Sequence, residues 1–143
     1  MVTSKDCIDK YGKPDINMER AHLTLWDIPE DINKAIPEIP NKVYCNKALV
    51  KPLEQAFRNI IERDLACHIH TWDGCFNIRK SRGLSSWSLH SWAIAIDINA
   101  AWNGLGKEPQ MPKELVKCFT DAGFDWGGTW TRKDGMHFQL AKI

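Results

Sequence analysis

The sequence predicts an α+β domain, with a small, mainly antiparallel sheet and helices packed on one of its sides. Two stretches, around 49–65 and 112–122, carry apolar residues at helical spacing. Two others, 93–98 and 136–140, alternate with the period of a strand. The 143 residues are 43% hydrophobic and 26% charged, which fits one domain over 1–143 with a core of its own.

Composition excludes several functions. The net charge of +1 gives no indication that the protein binds nucleic acid or an anionic surface. No apolar run approaches the ~20 residues of a spanning helix, and the first residues lack the pattern of a signal peptide. The cysteines are odd in number and show no C-x-x-C pair, so we expect free thiols at Cys7, Cys45, Cys67, Cys75 and Cys118.

The first part of the chain, to about residue 45, is divided by four prolines, which predict turns and one or two short helices. A clear amphipathic helix follows between Leu49 and Leu65, with Pro52 suited to its first turn. Residues 67–72 alternate like a strand, Asp73-Gly74 marks a turn, and residues 76–79 are predicted as the returning strand.

The next strand, 93–98, directs its isoleucines to one face and Ala93, Ala95 and Asp97 to the other. Pro112 begins a helix that Gly123 terminates. In the final strand, 136–140, His137 and Gln139 share one face. If these two strands pair, His137 and Asp97 become neighbours on one face of the sheet.

Two titratable pairs stand out in apolar surroundings. Between residues 83 and 106 the only formal charge is Asp97, and the only other titratable side chain is His90. Because an unpaired buried carboxylate is very costly, Asp97 needs a partner such as a metal ion. His90, Asp97 and His137 supply the three ligands of a catalytic zinc site, provided that a turn brings His90 back. Asp134, across a Gly135 that we expect to be flexible, is a candidate general base.

Simpler explanations exist for each residue. A single histidine on a strand is more often a hydrogen-bonded core residue than a ligand, and Asp134 beside two basic residues is more often a solvated loop acid. A rival metal site would use His68 and His70, two apart on one predicted strand, with Cys67 or Cys75 nearby. Its cysteines lack paired spacing, which favours the first site.

Two long motifs give a specific resemblance. Ser88-x-His90-x-x-Ala93-x-Ala95-x-Asp97 resembles the S-x-H-x-x-G-x-A-x-D motif of peptidoglycan-cleaving zinc metallopeptidases, which include D-alanyl-D-alanine carboxypeptidases and phage L-alanyl-D-glutamate endolysins. Residues 123–138 resemble the second family motif in its Asp-x-x-His form, and residues 73–79 resemble the segment that carries the family's substrate-facing arginine. The segments 11–14 and the helix after Asn46 are similar to small phage endolysins.

The resemblance implies a hedgehog/D-Ala-D-Ala peptidase-like fold with one zinc ion in a groove of the sheet. It implies zinc ligands at His90, Asp97 and His137. It further implies that Asp134 is the general base and that Arg79 steadies the scissile carbonyl or its oxyanion. Substrate contacts are expected at Ser88 and Trp130. One position departs from the family, since its glycine is Ala93 here, and we expect a slightly shifted backbone.

The resemblance also implies a function. We expect an L-alanyl-D-glutamate endopeptidase that acts on bacterial peptidoglycan. A D-alanyl-D-alanine carboxypeptidase is the alternative enzyme, and a non-catalytic zinc-stabilised binding module is the alternative of another class. We expect a monomer without a separate wall-binding domain and without nucleic-acid or membrane partners. By analogy with phage lysins, it would be made in the host cytoplasm and act on the wall after release.

Overall fold

The computed structural model describes residues 1–143. It contains five helices, at α1 (Ser4–Tyr11), α2 (Ile16–His22), α3 (Glu30–Ala35), α4 (Val50–Glu62) and α5 (Lys113–Thr120). It contains six strands, at β1 (Leu23–Asp27), β2 (Lys42–Asn46), β3 (Trp72–Gly74), β4 (Ala95–Ile98), β5 (Phe124–Trp126) and β6 (His137–Leu140). Five short 3-10 helices connect them, at Lys47–Leu49, Ala66–His68, Leu89–Trp92, Ala100–Trp102 and Gly127–Thr129.

The central sheet has four antiparallel strands in the order β3-β4-β6-β5. The predicted pairing of the two alternating segments is present, and Asp97 lies directly opposite His137. Their neighbours Ile96 and Phe138 point to the opposite face, where Phe119 of α5 stacks on Phe138 at 4.2 Å between ring centroids. The α+β fold class is therefore confirmed, and one face of the sheet is left for polar residues.

The two amphipathic helices form as their spacing predicts. In α4 the buried side chains include Leu53, Phe57 and Ile60, and Pro52 lies in the first turn, where a missing N–H is harmless. In α5, Leu115 and Phe119 are buried, and Gly123 follows the helix at a positive φ of 101°. The left-handed region that this residue occupies is the one that favours glycine.

The N-terminal third contains more structure than predicted. Besides three helices, it forms a two-stranded antiparallel sheet of β1 and β2. In β1 the apolar Leu25 is 58% exposed while Leu23 is buried, so hydrophobicity alone does not reveal the strand's inner face. The expectation of only turns and short helices is therefore wrong for 23–27 and 42–46.

The predicted hairpin at 67–79 is also wrong. Residues Ala66–His68 form a 3-10 helix, and the only strand in this stretch is the short β3. A side chain takes the place of a strand partner: Asn99 Oδ1 accepts from the backbone N–H groups of His70 and Thr71, and its amide donates to the carbonyl of His68. Because these groups are already satisfied, this stretch needs no sheet partner.

No helix in the structure combines the length and apolarity that a membrane-spanning segment requires. All five cysteines are free thiols, as predicted from their spacing.

Candidate metal centre

His90 reaches the site on a tight turn, Leu89–Trp92, that precedes β4. Ser88 caps this turn, since its hydroxyl accepts from the backbone N–H of His90 at 3.3 Å. Ala93 ends the turn in the left-handed region at φ 53°, ψ 39°. A left-handed residue at this position explains why the family motif has glycine there, and it is the turn that brings His90 back toward Asp97.

The three predicted ligands converge on one point. His90 Nε2 lies 3.1 Å from Asp97 Oδ2, and His137 Nδ1 lies 3.4 Å from Asp97 Oδ1. One ligand atom from each residue lies within 4.8 Å of the other two, and the imidazole centroids of His90 and His137 are 5.1 Å apart. Two imidazoles and a carboxylate are a donor set that zinc accepts.

The hydrogen bond on the outer side of the His90 ring leaves the nitrogen that faces Asp97 free for a cation. His90 Nδ1 lies 2.7 Å from the carbonyl oxygen of Cys75, which can only accept, so Nδ1 carries the proton and Nε2 presents a lone pair. His90 Nε2 and Asp97 Oδ1 are both buried without a hydrogen-bond partner. Such orphaned atoms are rare in proteins, and a metal ion between them would satisfy both.

The charged groups of the site shift one another's pKa values. Burial would raise the pKa of Asp97, but the adjacent imidazoles of His137 and His90 outweigh it and hold that pKa well below its usual value. Burial would lower the pKa of His137, but the carboxylates of Asp97 and Asp134 outweigh it and raise that pKa. The site therefore attracts positive charge, which a proton or a metal cation can supply.

Asp134 lies beside these residues, with Oδ2 3.9 Å from His137 Nδ1. Burial is the main cause that raises the pKa of Asp134, and the charge of Asp97 adds to it. A carboxylate with a raised pKa next to a candidate metal site is a suitable proton acceptor.

The loop that holds Asp134 is tightly packed. The backbone N–H of Asp134 donates to the carbonyl of Gly127 at 2.9 Å. A Cβ on Gly127 would lie inside 3.0 Å of the Asp134 carbonyl oxygen, and one on Gly135 would lie 2.9 Å from Pro109 Cβ. Neither glycine has a positive φ. At Gly135 the absence of a side chain therefore permits close packing.

The remaining predicted site residues line one cleft of about 470 Å³ with the ligands. Arg79 is half-buried, and the backbone around it is held by Ser91, whose hydroxyl accepts from its N–H and donates to its carbonyl. The ring of Trp130 lies 5.3 Å from that of His137. Ser88 lines the cleft as well, although the hydrogen bond that its hydroxyl makes is the cap on the His90 turn.

The rival site does not form. The only group of three potential ligands close enough for one ion is His90, Asp97 and His137. His70 packs against the ring of Trp102 at 4.8 Å, and Cys75 is buried with its thiol toward the carbonyl of Ala93.

Sequence reasoning missed three residues that support the site: Ser91, Cys75 through its carbonyl, and Gln139. Gln139 Oε1 lies 2.9 Å from His137 Nε2. The alternation of β6 had placed Gln139 on the face of His137, which is the signal that could have found it. No local sequence pattern indicates the contact between the Cys75 carbonyl and His90 Nδ1, since 15 residues separate them.

Residues 81–140 match the model of a family described as D-alanyl-D-alanine carboxypeptidase. The match covers both long motifs and confirms the resemblance predicted from them, and it supports a peptidase. A solved structure, the Serratia marcescens L-Ala D-Glu endopeptidase ChiX, aligns with 18% identity and a TM-score of 0.44, covering 78% of this chain and 86% of that chain. No curated protein gives a significant match.

Proposed function

We propose that this protein is a zinc-dependent peptidase that hydrolyses a peptide bond in peptidoglycan stem peptides, between L-alanine and D-glutamate. The observation that carries the proposal is the convergence of His90, Asp97 and His137 beside Asp134 in one cleft. The match of residues 81–140 to a peptidase family supports it.

Zinc would be held by His90 Nε2, an oxygen of Asp97 and His137 Nδ1, which are the atoms that face one another. When bound there, zinc supplies a Lewis acid that polarises a carbonyl group and acidifies water. The Cys75 carbonyl and Gln139 fix the outer nitrogens of the two rings, so the inner nitrogens are already oriented.

Asp134 is proposed to move the proton. Its carboxylate would take a proton from the attacking water and return it to the nitrogen of the departing amine. Its elevated pKa fits the first step, because a more basic carboxylate accepts a proton more readily. The tight packing of Gly127 against Asp134 holds the carboxylate in place for both steps.

The rim of the cleft fits an anionic substrate. Arg79, Arg82 and Arg132 all line it, and stem peptides carry free carboxylates. Arg79 lines the same cleft as Asp134 and the three candidate ligands. A fixed guanidinium there would stabilise the developing oxyanion, and Trp130 would form one wall of the cleft.

The alternative enzyme is a D-alanyl-D-alanine carboxypeptidase, which the description of the matching family favours. Mass spectrometry of digested muropeptides separates the two activities. Release of free D-alanine would support the carboxypeptidase, whereas new amino termini on glutamate would support the endopeptidase.

The same assay tests the proposed mechanism. We expect Asp134→Ala to abolish turnover of purified peptidoglycan while zinc content stays at one ion per chain, because the three ligands are intact. Unchanged turnover in Asp134→Ala would refute the role of Asp134. A wild-type protein that binds zinc fully and hydrolyses no wall peptide would instead indicate a zinc-stabilised binding module.

We further propose a monomer of one catalytic domain, made in a host cytoplasm and acting on the wall after release. Fractionation of expressing cells tests the last point, since efficient unaided export would contradict it.

A further inference from the structure

We propose that Gln139 is a positioning residue that selects the tautomer of His137, so that Nδ1 of this ring is the nitrogen available to a metal. The inference rests on the proposed function only in assuming that the site binds zinc. Gln139 is neither one of the three proposed metal ligands nor the proposed general base.

The strand geometry places the two side chains together. His137 and Gln139 are two residues apart on β6 and therefore point to the same face. Gln139 Oε1 lies 2.9 Å from His137 Nε2, and both residues are buried, with 3% of Gln139 and 6% of His137 exposed. Across the sheet Gln139 lies opposite Ala95, whose small side chain leaves room for the amide on this face.

A second contact sets the orientation of the Gln139 amide. Its Nε2 donates to the backbone carbonyl of Val2 at 3.3 Å. A carbonyl oxygen cannot donate, so the amide nitrogen faces Val2 and the amide oxygen faces His137. The nitrogen of His137 that meets this oxygen must then carry a hydrogen, which leaves Nδ1 of the neutral ring as the lone-pair nitrogen.

The consequence is an ordered chain of donors from the metal site to the N-terminal segment. His137 donates outward to Gln139, and Gln139 donates onward to Val2. His90 uses the opposite arrangement, with Nδ1 donating to Cys75 and Nε2 facing inward. The two ligands thus present different ring nitrogens to the same point, each selected by its outer hydrogen bond.

Two variants test the assignment. Gln139→Met keeps the length of the side chain and removes the acceptor, whereas Gln139→Glu keeps an acceptor oxygen for His137. We expect zinc affinity, measured by competition with a chromogenic chelator, to fall about 10- to 100-fold in Gln139→Met, and to fall much less in Gln139→Glu. Urea unfolding of each variant in excess chelator shows whether the metal-free fold is retained.

A spectroscopic measurement separates positioning of the ring from a purely structural role, because a purely structural role of Gln139 would leave the metal–nitrogen coupling unchanged. In the wild-type protein loaded with ¹¹³Cd, we expect scalar coupling of the metal to Nδ1 of His137 and to Nε2 of His90. In Gln139→Met we expect the His137 coupling to weaken or to divide between the two nitrogens. Wild-type zinc affinity together with undivided Nδ1 coupling in Gln139→Met would overturn the proposal.

The zinc-loaded wild-type protein provides an independent test if Gln139→Met does not fold. Long-range ¹H–¹⁵N spectra of this protein should place the proton of His137 on Nε2, the nitrogen that faces Gln139. A proton on Nδ1, or a protein that binds no zinc, would overturn the inference. Because this measurement uses no substrate, an inactive zinc-loaded protein with the expected tautomer would refute the proposed function and leave the inference standing.

Discussion

Replacing Gly127 by alanine should displace the proposed general base without removing a metal ligand. A Cβ at residue 127 would come within 3.0 Å of the Asp134 carbonyl oxygen and to 3.0 Å from Asp134 Cβ. Both atoms belong to a short loop anchored by hydrogen bonds and cannot turn aside like the end of a long side chain. Restoring ordinary contact at 3.4 Å requires a shift of about 1 Å in this loop.

A misplacement of about 1 Å in a catalytic group can lower the rate roughly 10²-fold. We therefore expect Gly127→Ala to lose about two orders of magnitude in kcat for muropeptide hydrolysis, and to lose about 1–3 kcal/mol of unfolding free energy from overpacking. Zinc content should remain at one ion per chain, since His90, Asp97 and His137 are unchanged.

Gly104→Ala is the matched control. Its new Cβ would meet only the flexible end of Lys107, at 3.3 Å, so we expect wild-type activity and stability. If Gly127→Ala keeps wild-type kcat while Gly104→Ala is also neutral, the packing of Gly127 does not position Asp134, and that reasoning is refuted.

Three further outcomes follow from the site. The raised pKa of His137 stabilises the metal-free fold below its ordinary value of 6.5, and this contribution is lost as pH rises through the raised pKa. Urea midpoints of the metal-free protein should therefore fall as pH rises above 6.5, and Asp97→Asn should reduce the fall. Ala93→Val should destabilise the protein by more than about 1 kcal/mol in urea unfolding, because a β-branched residue is strained at φ 53°, whereas in Ala93→Gly relief of strain and loss of a buried methyl should cancel to within about 1 kcal/mol. Dipicolinate should abolish hydrolysis and added zinc should restore it, and activity that persists with no metal bound would contradict the mechanism.

The parts of the fold that the sequence predicted well are those in which local periodicity and burial agree. β4 and β6 alternate cleanly, and their pairing places Asp97 opposite His137 as expected. α4 and α5 have one apolar face each, and both form close to the predicted bounds. In these elements a single pattern determines both the secondary structure and the side that is buried.

The parts that were missed depend on contacts between distant residues. The stretch 67–72 alternates like a strand, but the side chain of Asn99 satisfies its backbone groups. The close packing at Gly135 is likewise invisible in sequence, since it depends on the approach of Pro109. In both cases the deciding atom comes from a segment more than 20 residues away along the chain.

The amino-acid sequence by itself determined which residues could act. It supplies two histidines and two carboxylates in two separate segments, and the period of two in the strands directs Asp97 and His137 to the same side. The tertiary structure decided how they are held. The left-handed turn at Ala93 brings His90 back toward Asp97. The Cys75 carbonyl lies behind His90, and the amide oxygen of Gln139, which is held by Val2, lies behind His137. The physical reason is that side-chain spacing follows from local backbone geometry, whereas a tautomer is set by whichever acceptor the folded chain brings to the far side of the ring.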